Sequence, residues 1–256
     1  MKQCKKCKAS NRDSASFCDV CGFALMALGS PTPPSSGRRP VEHITIKKEA
    51  LHKKRRAEVM FVLDCTGSMG GEIQAIKDSI SDFADTITSQ GVRVRVGLIE
   101  FRDRLNGEDH RVLQFKRQVF TDDPIAFRSV VAPLKADGGG DEPESSLDAL
   151  MLALHQPFSD DAEKVIVLIT DAPPHIPDKS TKSIDEVIQA IRDNKLGQLY
   201  IVMRPQDENS LIYLRLLEAT RGVVFDLGKG DDFRSRAEHF KRTLMSLGKT
   251  ISASTV

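Results

Sequence analysis

Short apolar runs rich in β-branched residues alternate along this chain with longer stretches whose apolar positions recur every three or four residues. EVMFVLD (58–64), VRVRVGLIEF (92–101), HRVLQFKRQVF (110–120), KVIVLITD (164–171), GQLYIVM (197–203) and GVVFDL (222–227) read as strands. Between most of them, GEIQAIKDSISDFADTITSQ (71–90), PESSLDALMLALH (143–155) and SIDEVIQAIRDN (183–194) read as amphipathic helices. This alternation predicts an α/β fold: a doubly wound, mostly parallel sheet covered by helices on both faces. Val92 to Phe120 breaks the rhythm with two strands joined by the polar turn LNGEDH, which predicts an antiparallel hairpin at one edge. The chain shows no internal repeat.

The pattern begins only near residue 56, and what precedes it is of another kind. At 256 residues and 40% hydrophobic, the chain can bury one full-sized core and carry a small appendage. Charge divides at the same place: residues 1–56 hold 13 Lys/Arg against 4 Asp/Glu, and the rest hold 24 against 32, so a basic head precedes an acidic body. Four of the five cysteines, Cys4, Cys7, Cys18 and Cys21, form CKKC and CDVC separated by ten residues. Two such knuckles place four soft thiolates at the corners of a tetrahedron, which suits structural Zn2+. A segment of about 25 residues cannot fold on apolar burial alone, so the metal would supply most of its folding free energy. Paired disulfides would fit a secreted chain, but the N-terminus has Cys and Lys where an export signal needs an apolar run. A redox CxxC would need a surrounding βαβ pattern, which is missing. With Asn11, Phe17 and Gly22 in place, MKQCKKCKASNRDSASFCDVCGFAL resembles the short zinc ribbons found at the N-termini of many bacterial proteins.

The domain reading is a ribbon over 1–25, a flexible Pro/Ser-rich and basic linker over 26–55, the α/β body over 56–248 and a tail over 249–256. GSPTPPSSGRRP (29–40) is semi-extended through its prolines. KKEALHKKRR (47–56) is either a nucleic-acid patch or a solvated lead-in to the first strand; no aromatic residues interleave with its charges, which favours the lead-in. No stretch approaches the roughly 18 apolar residues of a membrane span, and the expected location is cytoplasmic.

In a doubly wound sheet, ligands bind beyond the carboxyl ends of the strands. Asp64 closes FVLD there, Asp171 closes VIVLITD, and the acidic loop ADGGGDEPES (136–145) precedes a helix expected to begin near Pro143. Carboxylates mixed with hydroxyls, with no His or Cys nearby other than Cys65 and His175, describe a hard cation site, Mg2+ or Mn2+ before Zn2+. Cys65 is expected to point away into buried packing, and His175 to be a loop residue beside the site.

Asp64, Thr66 and Ser68 resemble the DxSxS signature of the von Willebrand factor A domain family, with Thr for the first Ser, over about residues 56–248. The resemblance implies a Rossmann-like fold with a metal-ion-dependent adhesion site. Thr66 and Ser68 would bind the metal directly, while Asp64 and Asp171, in ITDAPPH, would act mostly through water. The family's remaining ligand is a Thr in a GGT loop, and counting back from Leu147 places Asp141 there instead. Three acids would then offset more of the cation's charge and weaken its pull on a partner's carboxylate. The alternative role for Asp141 is a helix N-cap.

Enzymatic readings fail on spacing. The haloacid dehalogenase pattern DxDxT needs an acid where Thr66 stands, and neither GxxxxGK[ST] nor GxSxG occurs. The expected function is therefore non-enzymatic: a protein-binding or scaffold module using a divalent cation, with the ribbon serving a second interaction. The rival is nucleic-acid binding through the ribbon and residues 47–56, and a metal-dependent hydrolase ranks third.

Overall fold

The computed structural model describes residues 2–4, 8–12, 56–88, 93–140 and 142–227, together with 235, 238 and 242. Cys7, Cys18, Cys21, Asp141, the proline-rich linker, nearly all of the basic run and the tail lie outside the described residues. The chain divides into two compact units, Met1–Ala50 and Leu51–Val256.

In the smaller unit, β1 (Lys2–Gln3) pairs antiparallel with β2 (Ser10–Asn11). Cys4, directly after β1, donates its N–H to Ala9 O at 2.9 Å and accepts from Lys8 N at 2.9 Å through its carbonyl. Lys8 takes a left-handed φ of 64°, and Cys4 is fully buried.

The larger unit is a six-stranded sheet. In chain order it contains β3 (Arg56–Asp64), α1 (Ile73–Thr88), β4 (Arg93–Phe101), β5 (Arg111–Val112), α2 (Pro124–Val131), α3 (Ser146–Leu154), β6 (Glu163–Ile169), α4 (Ile184–Asp193), β7 (Gln198–Met203) and β8 (Arg221–Asp226). The strand order is β5-β4-β3-β6-β7-β8, parallel throughout except for the edge pair β4–β5. β3 is buried on both faces, as a central parallel strand must be. Its alternation sorts the core in two. Val59, Phe61, Leu63 and Cys65 pack with Ile76, Ile80 and Phe83 of α1 and Phe127 of α2, while Met60 and Val62 pack with Leu147, Leu150 and Leu154 of α3 and Val187 and Ile191 of α4. Each large apolar side chain buried this way contributes about 1.5–3 kcal/mol.

Three local expectations are corrected. HRVLQFKRQVF is not one strand: only Arg111–Val112 pair with β4, and the chain then turns through Lys116 and Arg117 at φ 50° and 69° between the bridged Phe115 and Gln118. It rejoins β4 at Thr121, opposite Val96. The helix expected near Pro143 starts at Ser146, with Ser145 in the N-cap position. Finally, α2 and an 11-residue 3-10 helix, Glu208–Glu218, occupy stretches the periodicity did not mark. α2 begins on a local signal: Asp123 Oδ1 accepts from Ile125 N and Ala126 N, and Pro124 stands in the first turn.

β3 is the switch point of the sheet. The chain moves from it to β4 on one side and later returns to β6 on the other, which opens a crevice beyond the carboxyl ends of β3 and β6.

Candidate metal centre

β3 delivers Asp64 to that crevice with no solvent exposure. Its carboxylate is held at both oxygens. Oδ1 accepts from the Thr66 backbone N–H at 2.9 Å and from Thr66 Oγ1 at 2.7 Å, and Oδ2 accepts from Thr170 Oγ1 at 2.7 Å. Thr170 follows β6 directly, so the aspartate of one strand is clamped by the end of its neighbour.

The turn after Asp64 then presents two hydroxyls. Thr66 Oγ1 and Ser68 Oγ stand 3.1 Å apart, and Ser68 Oγ donates to Asp171 Oδ1 at 2.9 Å. Proton accounting makes this arrangement specific. A hydroxyl has one proton, and the shorter, charge-assisted contacts to Asp64 and Asp171 take both of them. With both protons used in that way, the 3.1 Å contact brings lone pairs of the two oxygens to one space.

The glycine loop closes a third side. Gly67 N–H donates to Gly138 O at 3.0 Å, and Asp137 N–H donates to Cys65 O at 2.9 Å. Gly139 takes φ 76°, and a Cβ there would come 3.0 Å from Glu144 Oε1 and 3.1 Å from Thr66 Cβ, so only glycine allows the loop to lie this close. Beyond it, Glu144 is 4% exposed. Glu144 N–H donates to Pro173 O and its carbonyl accepts from His175 N, both at 2.9 Å, which ties this loop to the one carrying Asp171. The side-chain Oε2 of Glu144 and Oδ2 of Asp171 are both buried and accept no hydrogen bond from the described residues.

The electrostatics follow from burying this much negative charge. Burial, then the charges of Asp64, Asp103, Glu108 and Asp171, push Glu144 up to about 8. Burial raises Asp64 to about 6, with the Thr66 and Thr170 hydrogen bonds opposing it and the Asp171 charge adding to it.

Of the residues read from sequence, the structure brings Asp64, Thr66, Ser68 and Asp171 together at one point; Asp141 lies between the described Gly140 and Glu142. Glu144 is the acid that sequence reading missed, having been read only as part of a helix start. Cys65 lies in the core on the other face, its thiol pushed up to about 12 by burial. His175 stands beside the crevice, with Nε2 3.2 Å from Asp103 Oδ1.

The donor set fits a hard divalent cation. Among the described residues no trio of His, Cys, Asp and Glu forms a metal cage by itself, but here two donors are hydroxyls and the acids flank them. Two converging hydroxyl oxygens and two buried carboxylate oxygens without a hydrogen bond, one of them 3.3 Å from the Arg204 guanidinium, are the groups such an ion would satisfy.

Comparison with known proteins agrees with the fold. The chain is 38% identical over 121 residues to human von Willebrand factor A domain-containing protein 7, a match covering 46% of this chain and 12% of that protein. It is 26% identical over 136 residues to the alpha-protein kinase vwkA of Dictyostelium discoideum, covering 52% of this chain and 21% of the kinase. The chain thus spans about a fifth or less of these relatives' length. Among solved structures, the pilus adhesin SpaC of Lactobacillus rhamnosus GG in its open conformation superposes with a TM-score of 0.58 at 14% identity, covering 78% of this chain and 30% of that one. The von Willebrand factor A domain family matches residues 58–208, which hold Asp64, Thr66, Ser68, Glu144 and Asp171, and the chain belongs to that family.

Proposed function

We propose that the protein is a binding module whose grip on a protein partner depends on a divalent cation, Mg2+ or Mn2+, at the crevice. Thr66 and Ser68 would hold the ion directly, Asp64 and Asp171 would support it through water, and Glu144 and Asp141 would add charge from the glycine loop. The bound ion would supply a positive centre at an otherwise acidic surface. The observation that carries this reading is the 3.1 Å approach of two hydroxyl oxygens that each also contact a carboxylate, since a cation would be held by the lone pairs they turn to one space. Binding rather than catalysis is favoured because the one thiol beside the site, Cys65, is buried in the core, away from the crevice.

The head is proposed as a zinc ribbon on Cys4, Cys7, Cys18 and Cys21, serving a second interaction. Its support is the spacing of the two CxxC pairs, together with the hydrogen bonds that tie the backbone of Cys4 to Lys8 and Ala9. Among the described residues, no helix is long and apolar enough to cross a membrane.

Calorimetric titration with Mg2+ and Mn2+ tests the crevice. Wild type is expected to bind one ion and melt higher with it, because a ligand of the folded state stabilises by mass action. Asp64→Ala with Ser68→Ala is expected to abolish both effects while the protein stays folded. No binding by wild type at millimolar ion overturns the reading. Metal analysis of the purified protein should find one zinc per chain, lost in Cys18→Ser.

A further inference from the structure

Arg204 is a cation at the crevice that the proposed function leaves without a role. It follows β7 directly, so it stands at the same end of the sheet as Asp64 and Asp171. Its Nη2 lies 3.3 Å from Asp171 Oδ2 and 3.4 Å from Glu72 Oε1. The side chain is 40% exposed, whereas that of Asp171 is 1% exposed, so Arg204 reaches from the rim into a buried carboxylate. The contact with Glu72 has hydrogen-bond geometry. The contact with Asp171 does not, and Oδ2 stays without a hydrogen bond. The guanidinium therefore neutralises Asp171 by proximity without closing its coordination.

A group so placed opposes a metal. Asp171 Oδ1 is already taken by Ser68, which leaves Oδ2 as the face of this carboxylate open to a cation or its water. A guanidinium and a dication at the same oxygen repel each other in a poorly screened crevice. Glu72 gives the guanidinium somewhere to go: it lies in the turn leading into α1, accepts from the same nitrogen and is nearer the surface than Asp171. Resting on the cation reading above, we propose that Arg204 competes with the divalent cation for Asp171, so that ion entry moves its guanidinium off Asp171 while Glu72 keeps hold of it at the rim. Arg204 is then a selectivity-setting residue. It fills the acidic crevice with a tethered +1 charge that only a more highly charged ion displaces.

Magnesium titration of the full chain tests this, with wild type, Arg204→Gln, Arg204→Lys and the control Arg215→Gln. Arg215 is an exposed cation on the 3-10 helix that pairs with Asp185 of α4, so its loss changes net charge equally without touching the crevice. Arg204→Gln is expected to tighten Mg2+ binding about tenfold, the removal of one close charge contact, with Arg204→Lys in between and Arg215→Gln near wild type. In parallel, the Nε–H resonance of Arg204 should shift as Mg2+ is added. A merely structural arginine would show the opposite sign, weaker binding once its support of Asp171 is lost. Equal or weaker binding by Arg204→Gln, or the same gain in Arg215→Gln, overturns the inference and leaves the cation reading standing. Absence of Mg2+ binding in wild type overturns both.

Discussion

At the scale of single residues, the crevice is a place where charge is stored at a cost. Burial and the neighbouring carboxylates push Glu144 up to about 8 from an ordinary 4.5, and burial pushes Asp64 up to about 6 from 3.8. A carboxyl whose folded value is raised binds its proton more tightly folded than unfolded, so stability falls as pH rises toward the folded value. The metal-free protein is therefore expected to melt higher at pH 6 than at pH 8.5, with most of the change between those values assigned to Glu144. Glu144→Gln should flatten this dependence and raise metal-free stability at pH 8.5; a thermal melt series in chelator checks both. On the proposed reading, protons and the ion would compete for the same oxygens, so the sign reverses for binding. Mg2+ affinity should drop as pH falls from 8 to 6, with a proton released on binding at pH 7, measurable as a dependence of the calorimetric heat on the buffer.

At the scale of elements, one buried cation explains how α2 ends. Lys77 of α1 is 7% exposed, and its Nζ donates to Ala132 O at 2.6 Å and Leu134 O at 3.0 Å, closing carbonyls at the C-terminal end of α2. Lys77→Met keeps the stem but leaves both carbonyls unpaired. It is expected to cost about 2 kcal/mol in urea unfolding, in the range for hydrogen bonds to a charged group, with Mg2+ affinity unchanged. Elements such as α1 and α4 were legible because one apolar stripe faces the sheet, and β3 and β6 because a buried parallel strand is a continuous apolar run. What escaped was set by local chemistry. α2 is only eight residues long, too short for its period to stand out. The strand break at Lys116–Arg117 carries no glycine to announce its left-handed backbone. The same holds in the crevice: Asp64, Thr66, Ser68 and Asp171 could be found because a motif and two strand ends mark them. Glu144 and Arg204 could not, because their position depends on how a glycine loop and the end of β7 come together in three dimensions.

At the scale of the whole molecule, the described residues of both core clusters run from Ala57 to Leu227. Removing residues 1–50 is therefore expected to leave a unit that unfolds in a single cooperative transition, checked by coincidence of circular dichroism and fluorescence-dye melts. Loss of cooperativity would place part of its core in the smaller unit. The link from Ser68 to Asp171 spans 103 residues of sequence. During synthesis at about 5–20 residues per second, its two ends leave the ribosome about 5–20 s apart. Through that interval the hydroxyl turn exists without the acid that completes it, so a cation held by both could not seed the fold of the nascent chain. On the proposed reading it would act instead as a final latch, engaged only once the second half of the sheet has docked onto the first.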